Sequence, residues 1–319
     1  MKLLVTGGAG FIGTNFVKKV LNGTYKNISK LVVLDALTYA GAISNFSKNE
    51  LAGFEFHKGD IRDSGLVNKI VPNVDTIINF AAESHVDRSI QGSDTFVDTN
   101  VLGVNVLLNA SLRHKVERYF QVSTDEVYGS IDSGSWDETC ALHPNSPYSA
   151  TKASADLLIL AFNKTYGLNT VISRCSNNFG PYQHPEKLIP KLITSAIIGD
   201  DLPIYGDGLN IRDWLYVEDH CDALNGLLLN GQPGEIYNVG GGTELTNLEV
   251  VHSVLNHFPN SNSQIKYVQD RLGHDQRYSV AVTKISNLID FRPSRSFENF
   301  ISSTIKWYLD NESWWKSRK

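Results

Sequence analysis

Residues 3–13 read Leu-Leu-Val-Thr-Gly-Gly-Ala-Gly-Phe-Ile-Gly, an apolar run that leads directly into a glycine-rich turn. The run predicts a buried strand, and glycines follow it at positions 7, 10 and 13. Because glycine carries no side chain, a pyrophosphate can approach the backbone of such a turn, where free amides at the start of the next helix attract negative charge. The segment therefore predicts a strand, a phosphate-binding turn and a helix.

Short apolar runs alternate with helix-length amphipathic segments through the first half of the chain. Runs at 31–34, 76–80 and 119–122 predict further buried strands. Regular alternation of strand and helix implies parallel strands joined by right-handed crossovers. We therefore predict an α/β fold with a doubly wound parallel sheet of the Rossmann type, whose ligands bind at the carboxyl ends of the strands.

The pattern changes after about residue 174, where prolines at 181, 185, 190 and 203 interrupt shorter elements. We predict a dinucleotide-binding domain at 1–173 and a smaller C-terminal region, 174–319, that mainly binds substrate. Residues 213–217 and 236–239 are strand-like enough to return to the main sheet. The two regions are therefore expected to interleave over about 211–240.

Charge and cysteine content exclude several classes of partner. Lysine and arginine total 29 against 34 acidic residues, a net charge of −5, so no basic face for nucleic acid or anionic lipid is expected. The cysteines at 140, 175 and 221 lie far apart without a C-x-x-C spacing, which predicts neither a metal site nor a disulfide framework. Without a predicted signal peptide or membrane span, a reduced, cytoplasmic protein is expected.

The second predicted strand ends in Asp35, about 20 residues beyond the last glycine, where a carboxylate can bind the ribose hydroxyls of a dinucleotide. Its charge would repel a 2′-phosphate, which favours NAD over NADP. Asp60 is expected to follow a third strand between the runs at 31–34 and 76–80, and Ala81 follows the fourth strand at 76–80, at corresponding edges of the sheet. A tight turn without a ligand is the alternative for the glycines, and capping of its own loop explains Asp60 equally well.

Candidate catalytic residues occur in two groups. Thr124, Asp125 and Glu126 end the fifth predicted strand, and Tyr148 and Lys152 share one face of a long helix because they are four residues apart. The Lys152 ammonium at about 4 Å would stabilise the tyrosinate form of Tyr148 by about 4 kcal/mol at an effective dielectric near 20, which lowers the tyrosine pKa. Burial of the phenol opposes this fall, so a smaller net fall is expected. Tyr148 could then take a proton from a substrate hydroxyl while a hydride leaves for NAD, with Thr124 bonded to the same oxygen.

The glycine turn, the Tyr148–Lys152 pair and the preceding Ser/Thr resemble the extended short-chain dehydrogenase/reductase family, over essentially the whole chain. Within that family, Thr124-Asp125-Glu126 is similar to the nucleotide-sugar 4,6-dehydratases, most closely those acting on dTDP-glucose. The other matching segments are 34–41, 81–90, 177–182, 185–190 and 212–214. The resemblance implies a lyase that uses NAD and releases a 4-keto-6-deoxy sugar still attached to its nucleotide.

Elimination of water requires one base and one acid. Oxidation at carbon 4 acidifies the proton on carbon 5, and the resemblance implies that Glu126 removes it while Asp125 protonates the departing hydroxyl on carbon 6. The pKa of Asp125 must rise for this role, and burial beside a second carboxylate acts in that direction. The hydride then returns to carbon 6. Capping of the following turn is the alternative role for the two acids.

Spacing and resemblance together predict the remaining site residues. Those for the cofactor are Gly7, Gly10, Phe11, Ile12, Gly13, Asp35, Ala36, Leu37, Thr38, Asp60, Ile61, Ala81, Ala82, Ser84, Thr99, Tyr148, Lys152 and Asn178. Those for a nucleotide-diphosphate hexose are Ser84, His85, Thr124, Asn177, Lys187, Leu188, Pro203, Tyr205, Arg212, Asn247, Arg271 and His274. Two phosphates need cations, although surface ion pairs explain any single arginine equally well. Leu272 stands where this family usually has proline.

Three alternative functions share much of this pattern. A UDP-glucose 4,6-dehydratase would keep the chemistry, an epimerase of the UDP-galactose 4-epimerase type would not need Asp125 and Glu126, and a non-catalytic NAD-binding sensor would not need Tyr148 or Lys152. Apolar residues within 101–108 and 157–162 give two strongly apolar helices. Core packing alone explains them, and the family resemblance implies a homodimer through a four-helix interface. Trp314 and Trp315 are expected to pack a C-terminal helix onto the domain.

Overall fold

The computed structural model of the chain describes residues 1–319, and a seven-stranded sheet is its central element. The strands of this sheet are β1 (Lys2–Thr6), β2 (Lys30–Asp35), β3 (Glu55–Lys58), β4 (Thr76–Asn79), β5 (Arg118–Thr124), β6 (Thr170–Cys175) and β10 (Glu235–Val239). Their spatial order is β10-β6-β5-β4-β1-β2-β3, and every neighbouring pair is parallel. The strand order reverses between β1 and β4, so a crevice opens at the carboxyl ends of these two strands. The predicted doubly wound Rossmann-type fold is confirmed.

Helices connect the strands and cover both faces of the sheet. They are α1 (Phe11–Leu21), α2 (Lys48–Leu51), α3 (Ser64–Ile70), α4 (Val86–Gln91), α5 (Asp94–Phe96), α6 (Val104–Arg113), α7 (Pro147–Tyr166), α8 (Leu188–Ile198), α9 (Val217–Asn230), α10 (Asn247–Leu255), α11 (Thr283–Ile289), α12 (Phe297–Asp310) and α13 (Glu312–Lys316). Residues Val97–Gly103, just before α6, form wider π-helical turns. No helix combines the length and the apolar character that a membrane crossing requires.

Five further strands form two small sheets outside the main one. They are β7 (Asn177–Phe179), β8 (Leu202–Tyr205), β9 (Ile211–Tyr216), β11 (Glu244–Thr246) and β12 (Ile265–Val268). β9 pairs with β7 on one edge and β11 on the other, and β8 pairs with β12.

One of the two stretches expected to return to the main sheet does so. β10, which contains 236–239, pairs with β6 at the sheet edge. The expectation that 213–217 joins the same sheet is wrong, because both edges of β9 are already paired with β7 and β11. The division of the chain at 173/174 stays a prediction; β6 itself runs to Cys175.

Hydrophobic clusters explain how the two regions interleave. One cluster on a face of the main sheet joins side chains of β1 and α1 to Leu215, Val217 and Leu224 of the later region. The opposite face packs against α3, α6 and α7. A separate cluster holds α8, α10 and α12 together with Trp315 of α13, as expected for that tryptophan. The later region is therefore anchored on the main sheet through β10, α9 and α11, and its α8, α10 and α12 pack in a core of their own.

The long helix α7 has clear sequence signals at both ends. Ser146 accepts a hydrogen bond from the Ser149 amide, and the Ser149 hydroxyl bonds back to the Ser146 backbone, which forms a capping box. Pro147 takes the first helical position, where its missing N–H costs nothing. Gly167 ends the helix in the left-handed region at φ 68°. The capping box and Pro147 fix the start of α7, and therefore the position of Tyr148 relative to the sheet, because Tyr148 is the second residue of the helix.

Candidate active site

The glycine turn between β1 and α1 is packed so closely against backbone that it accepts no side chain at Gly7 or Gly13. Gly7 has φ 69°, and a Cβ atom there would lie 2.6 Å from the Ala81 amide nitrogen. A Cβ at Gly13 would collide with the Gly7 carbonyl oxygen. Gly10 precedes α1 without a side-chain cap, so no side chain competes for the first amides of that helix. The turn therefore offers a backbone cradle at a helix N-terminus, the arrangement that binds a pyrophosphate.

A cavity of about 180 Å³ lies beside this turn, at the carboxyl ends of β2, β3 and β4. Its lining includes Gly7, Gly10, Asp35, Ala36, Thr38, Asp60, Ile61, Ala81, Ala82 and Thr99, all of them predicted cofactor residues. The Asp35 carboxylate accepts hydrogen bonds from the amides of Ala9 (2.8 Å) and Leu37 (2.7 Å). Burial raises the pKa of Asp35, and these two bonds oppose the rise. Each of its oxygens retains a second lone pair for a ribose hydroxyl.

Asp60 and Leu37 serve the cavity differently from Asp35. Asp60 lines the space and also caps its own loop: it accepts the Arg62 amide at 2.8 Å and pairs with the Arg62 guanidinium at 2.8–3.0 Å. Capping of its own loop is therefore observed for Asp60, and its role in cofactor binding stays a prediction. Leu37 adopts φ 51° and does not line the cavity; its contribution is the amide bonded to Asp35.

A second, larger cavity of about 310 Å³ continues from the first and shares Gly7, Gly10, Ala40, Phe80 and Ala82 with it. The predicted residues that line it are Gly7, Gly10, Phe11, Ile12, Gly13, Ala82, Ser84, Thr124, Asp125, Glu126, Tyr148, Lys152, Asn177, Asn178, Lys187 and Leu188. All five predicted catalytic residues thus line one cavity. That cavity begins at the phosphate-binding turn.

Tyr148 and Lys152 are both buried on the face of α7 that meets β5. The Lys152 ammonium donates a hydrogen bond to the Val122 carbonyl at 2.8 Å, which fixes its position, and burial lowers the pKa of Lys152. Burial, with Glu126 nearby, raises the pKa of Tyr148 well above its ordinary value. The expected net fall in the tyrosine pKa is therefore wrong for the protein alone, because burial and the charge of Glu126 raise it.

Asp125 and Glu126 follow β5 in a short 3₁₀ turn whose N-cap is Thr124. Asp125 is 3% exposed, and its Oδ2 atom is buried without a hydrogen-bond partner. Burial raises the pKa of Asp125 well above its ordinary value, and the charges of Glu126 and Asp213 add to the rise. This environment favours the protonated form of Asp125, which is the direction that the predicted acid requires.

Glu126 occupies a different field although it is the next residue. Burial raises the pKa of Glu126 as well, but Arg271, Arg212 and Lys187 oppose that rise. No comparable group of cations offsets the rise at Asp125, where Arg212 acts against two carboxylates. Of the two acids, Glu126 is therefore the one that ionises more readily, so the environment divides the pair into an acid and a base.

The three predicted phosphate-binding cations lie around Glu126, each with a different partner. Lys187 donates to the Ser84 carbonyl at 2.7 Å across the mouth of the larger cavity. Arg271 has a buried Nε atom without a partner and approaches Asp87 at 3.9 Å. The Arg212 guanidinium donates to the carbonyls of Ile211 (2.7 Å) and Asp275 (2.9 Å). Lys187 and Arg271 thus retain N–H donors for a bound anion, whereas the Arg212 guanidinium also donates hydrogen bonds to the backbone carbonyls of residues 275–276.

Several predicted substrate residues lie beyond the two cavities. They are His85, Pro203, Tyr205, Arg212, Asn247, Arg271 and His274. Tyr205 donates its hydroxyl hydrogen to Asp87 at 3.1 Å, and its ring lies 6.2 Å from that of His274. Leu272, in place of the family's proline, is 73% exposed. Tyr205, Arg271 and His274 therefore form an outer rim next to Asp87, with Leu272 pointing to solvent. Arg212 and Asn247 are buried.

The structure adds a charged cluster that was not predicted. Glu186 lines the larger cavity and lies 2.9 Å from Arg88, 3.6 Å from His85 and 3.7 Å from His184. The Arg88 guanidinium in turn stacks 3.8 Å above the Tyr39 ring. His85 was a predicted substrate residue, and the sequence signal for Tyr39, Arg88 and Glu186 was their inclusion in the matching segments 34–41, 81–90 and 185–190. His184 lies outside these segments, and no local spacing predicts contacts among separate loops.

Comparison with known proteins agrees with this geometry. The family model for GDP-mannose 4,6 dehydratase matches residues 4–304. A dTDP-glucose 4,6-dehydratase from Streptomyces niveus is 48% identical and covers 100% of this chain and 96% of its own length. The low-salt glycan biosynthesis protein Agl12 of Haloferax volcanii is 50% identical over 98% of this chain and 100% of its own length.

A solved structure is equally similar. DesIV, a dTDP-glucose 4,6-dehydratase from Streptomyces venezuelae crystallised with NAD and dTDP bound, superimposes with a TM-score of 0.97 at 49% identity, and each chain is covered completely. The match extends over both the sheet and the later region that forms the outer rim. The chain therefore belongs to the GDP-mannose 4,6 dehydratase family, and within it to the group that contains the dTDP-glucose 4,6-dehydratases.

Proposed function

We propose that this protein is an NAD-dependent dTDP-glucose 4,6-dehydratase, which converts its substrate into dTDP-4-keto-6-deoxy-glucose and water. The observation that carries the proposal is the position of Asp125 and Glu126 in the same cavity wall as Tyr148 and Lys152. An enzyme that only oxidises and reduces a sugar needs the second pair alone. The acids supply what elimination adds, a proton acceptor and a proton donor.

NAD fits the two joined cavities. The glycine turn would hold the pyrophosphate, Asp35 the adenosine ribose, and the smaller cavity the adenine beside Ile61 and Thr99. The nicotinamide would lie in the larger cavity near Tyr148. When bound, NAD accepts a hydride from the sugar and gives it back within one reaction cycle.

Oxidation at carbon 4 depends on Tyr148. Its phenolate oxygen would take the proton of the carbon 4 hydroxyl, with the Thr124 hydroxyl bonded to the same substrate oxygen. The Val122 carbonyl fixes the position of the Lys152 ammonium, which would stabilise the phenolate once the substrate and NAD are bound. Burial of both groups excludes water from the proton transfer.

Elimination depends on the division between the two acids. Glu126 would remove the proton from carbon 5, and Asp125 would give its proton to the carbon 6 hydroxyl as the bond to that oxygen breaks. One proton is taken up by Glu126, one is released by Asp125, and one molecule of water leaves. The hydride would then return to carbon 6 as Glu126 gives its proton back to carbon 5. The cations around Glu126 favour its ionised form before the step, while burial favours the protonated form of Asp125.

The diphosphate of the substrate would reach Lys187, Arg212 and Arg271, and the outer rim formed by Tyr205, His274 and their neighbours would hold the nucleoside. The test is mass spectrometry of dTDP-glucose and UDP-glucose incubated separately with protein and NAD. Loss of one water from dTDP-glucose at the higher kcat/KM is the expected result. Preference for UDP-glucose would change the substrate and keep the chemistry; two unchanged masses would refute the dehydratase.

We also propose a homodimer through the helices Val97–Arg113 and α7. Support comes from the apolar side chains on their outer faces: Val97, Leu102, Leu157 and Tyr166 are 48%, 50%, 59% and 60% exposed. Two copies of this helix pair would form a four-helix interface and cover these residues. A cytoplasmic location, in keeping with three unpaired cysteines, stays a prediction.

A further inference from the structure

The segment 36–47 between β2 and α2 forms a wall shared by the two cavities. Ala36, Thr38 and Gly41 line the smaller cavity, Tyr39 the larger, and Ala40 both. A molecule that occupies the joined cavities therefore lies between this wall segment and the glycine turn. Release of such a molecule is easiest when the wall segment moves away.

The wall segment is tied to the glycine turn through the Ala9 carbonyl. That oxygen accepts hydrogen bonds from the Ala42 amide and from the Asn45 side-chain nitrogen, each at 3.0 Å. The same Asn45 nitrogen donates to the Thr14 hydroxyl at 3.1 Å. Asn45 is 4% exposed, so these bonds are shielded from water.

The other end of the Asn45 amide belongs to a distant part of the chain. Its Oδ1 atom accepts a hydrogen bond of 2.7 Å from the indole N–H of Trp314 in α13. The two donations from the Asn45 nitrogen fix the orientation of the amide, so its oxygen can face only the tryptophan. Trp314 is thus linked to the phosphate-binding turn through one buried side chain.

Residues near Trp314 strengthen this link. The Trp314 ring lies 5.0 Å from Trp307 and 6.1 Å from Tyr182, between α12 and the loop after β7. Arg318 stacks its guanidinium 4.3 Å above Trp314 and donates to the Ser44 hydroxyl of the wall segment at 3.2 Å. Two separate hydrogen bonds therefore join residues 314–318 to the wall segment.

We propose that α13 is a latch on the dinucleotide site: Trp314 acts through Asn45 to hold the wall segment against the glycine turn and so slows the release of NAD. The proposal rests on the function proposed above. A reaction that returns its hydride in every cycle has no need to exchange the cofactor, so slow release costs no turnover. Trp314 is then a positioning residue, since it reaches the cofactor only through Asn45 and Ala9.

The test compares Trp314→Phe with Trp307→Phe. Both remove an indole from the same aromatic cluster, but only the first removes the bond to Asn45. Each protein is loaded with NADH, chased with excess NAD, and followed by directly excited NADH emission, with the thermal midpoint measured in parallel. Because one hydrogen bond is worth about 0.5–1.5 kcal/mol, Trp314→Phe should release NADH about 2- to 13-fold faster. Trp307→Phe should release it at about the parent rate.

Two further variants keep the test decisive. In an Asn45→Ala background the Trp314 change should add no acceleration, and Arg318→Met should accelerate release even where Trp314→Phe folds poorly. Equal release rates in the parent, Trp314→Phe and Arg318→Met would overturn the latch, as would equal acceleration by Trp307→Phe. A parent protein that binds no NADH would instead refute the proposed function, which separates the two failures.

Discussion

Two neighbouring carboxyl groups differ here because their surroundings differ. Asp125 is enclosed next to Glu126 and Asp213, so burial and both neighbouring charges raise its pKa well above the ordinary value. Glu126 faces Lys187, Arg212 and Arg271, which oppose the rise in its own pKa. Sequence alone identified the pair, but only the structure explains which member keeps its proton.

Replacing the base should stop the reaction halfway. In Glu126→Gln, oxidation at carbon 4 should survive because Tyr148 and Lys152 are unchanged, whereas proton removal from carbon 5 should slow by about 10²- to 10⁴-fold. In a single turnover with dTDP-glucose, reduced nicotinamide should therefore accumulate, as measured by its absorbance. The matched control is Tyr148→Phe, in which no reduced nicotinamide should form. Parent-like turnover by Glu126→Gln would show that another group is the base.

Replacing the acid should affect stability with a definite pH dependence. The folded-state pKa of Asp125 is raised, so above the unfolded pKa of about 3.9 the unfolded chain releases a proton that the folded one retains. The parent therefore loses stability as pH rises through this window, and an amide at 125 does not. Asp125→Asn should become progressively more stable than the parent as pH rises above about 4, by urea unfolding, while its activity falls. A pH-independent difference would contradict the raised pKa.

At the scale of elements, α7 is joined to the catalytic turn by a buried ion pair. Asp156 lies one turn beyond Lys152 and accepts a hydrogen bond from Arg174 of β6 at 2.9 Å, with both side chains almost fully buried. The Arg174 guanidinium lies 4.7 Å from the ring of Tyr128, the last residue of the turn that carries the two acids. The ion pair therefore holds α7, which carries Tyr148 and Lys152, against the 3₁₀ turn that carries Asp125 and Glu126.

Breaking this pair from one side should be costly. Arg174→Met leaves Asp156 buried without its cation, and we expect a loss of about 3–5 kcal/mol in the free energy of unfolding. Asp156→Leu combined with Arg174→Met should recover much of that loss, because no charge then remains unpaired. Asp310→Asn, which breaks an exposed pair with Lys306 in α12, is the control and should cost under about 0.5 kcal/mol. Urea unfolding measures all three; similar losses in the first and last variants would exclude the buried pair as an anchor.

Local patterns explain what the sequence could predict about these elements. The four-residue spacing of Tyr148 and Lys152 was sufficient to predict that they share a helix face, because a helix has a fixed period. The glycine turn was sufficient to predict the strand, turn and helix, because it directly follows an apolar run. The sheet partner of β9 was not predictable, since apolar runs do not encode which edge a strand meets. The raised pKa of Tyr148 was missed for a related reason: burial depends on α4, α5 and β5 packing around it, which no spacing records.

For the whole molecule, the distribution of apolar surface is the remaining argument. Most of the larger apolar side chains lie in clusters on the two faces of the sheet or inside the later region. Against that background, Leu102 and Leu157 are half exposed or more on two neighbouring helices. Because α7 carries Tyr148 on its opposite face, an interface here would support the catalytic helix from behind without covering the cavity mouth.

A charge on this face should separate the proposed dimer. Leu157→Arg is expected to change the sedimentation coefficient from that of a dimer to that of a monomer, since an unpaired guanidinium would be buried against an apolar partner. Leu309→Arg is the matched control, because Leu309 is 45% exposed on α12 and lies away from the proposed interface. It should sediment like the parent. If the parent is a monomer at micromolar concentrations, or if both variants dissociate alike, the helices Val97–Arg113 and α7 do not form the interface and their exposed leucines must be explained by another contact.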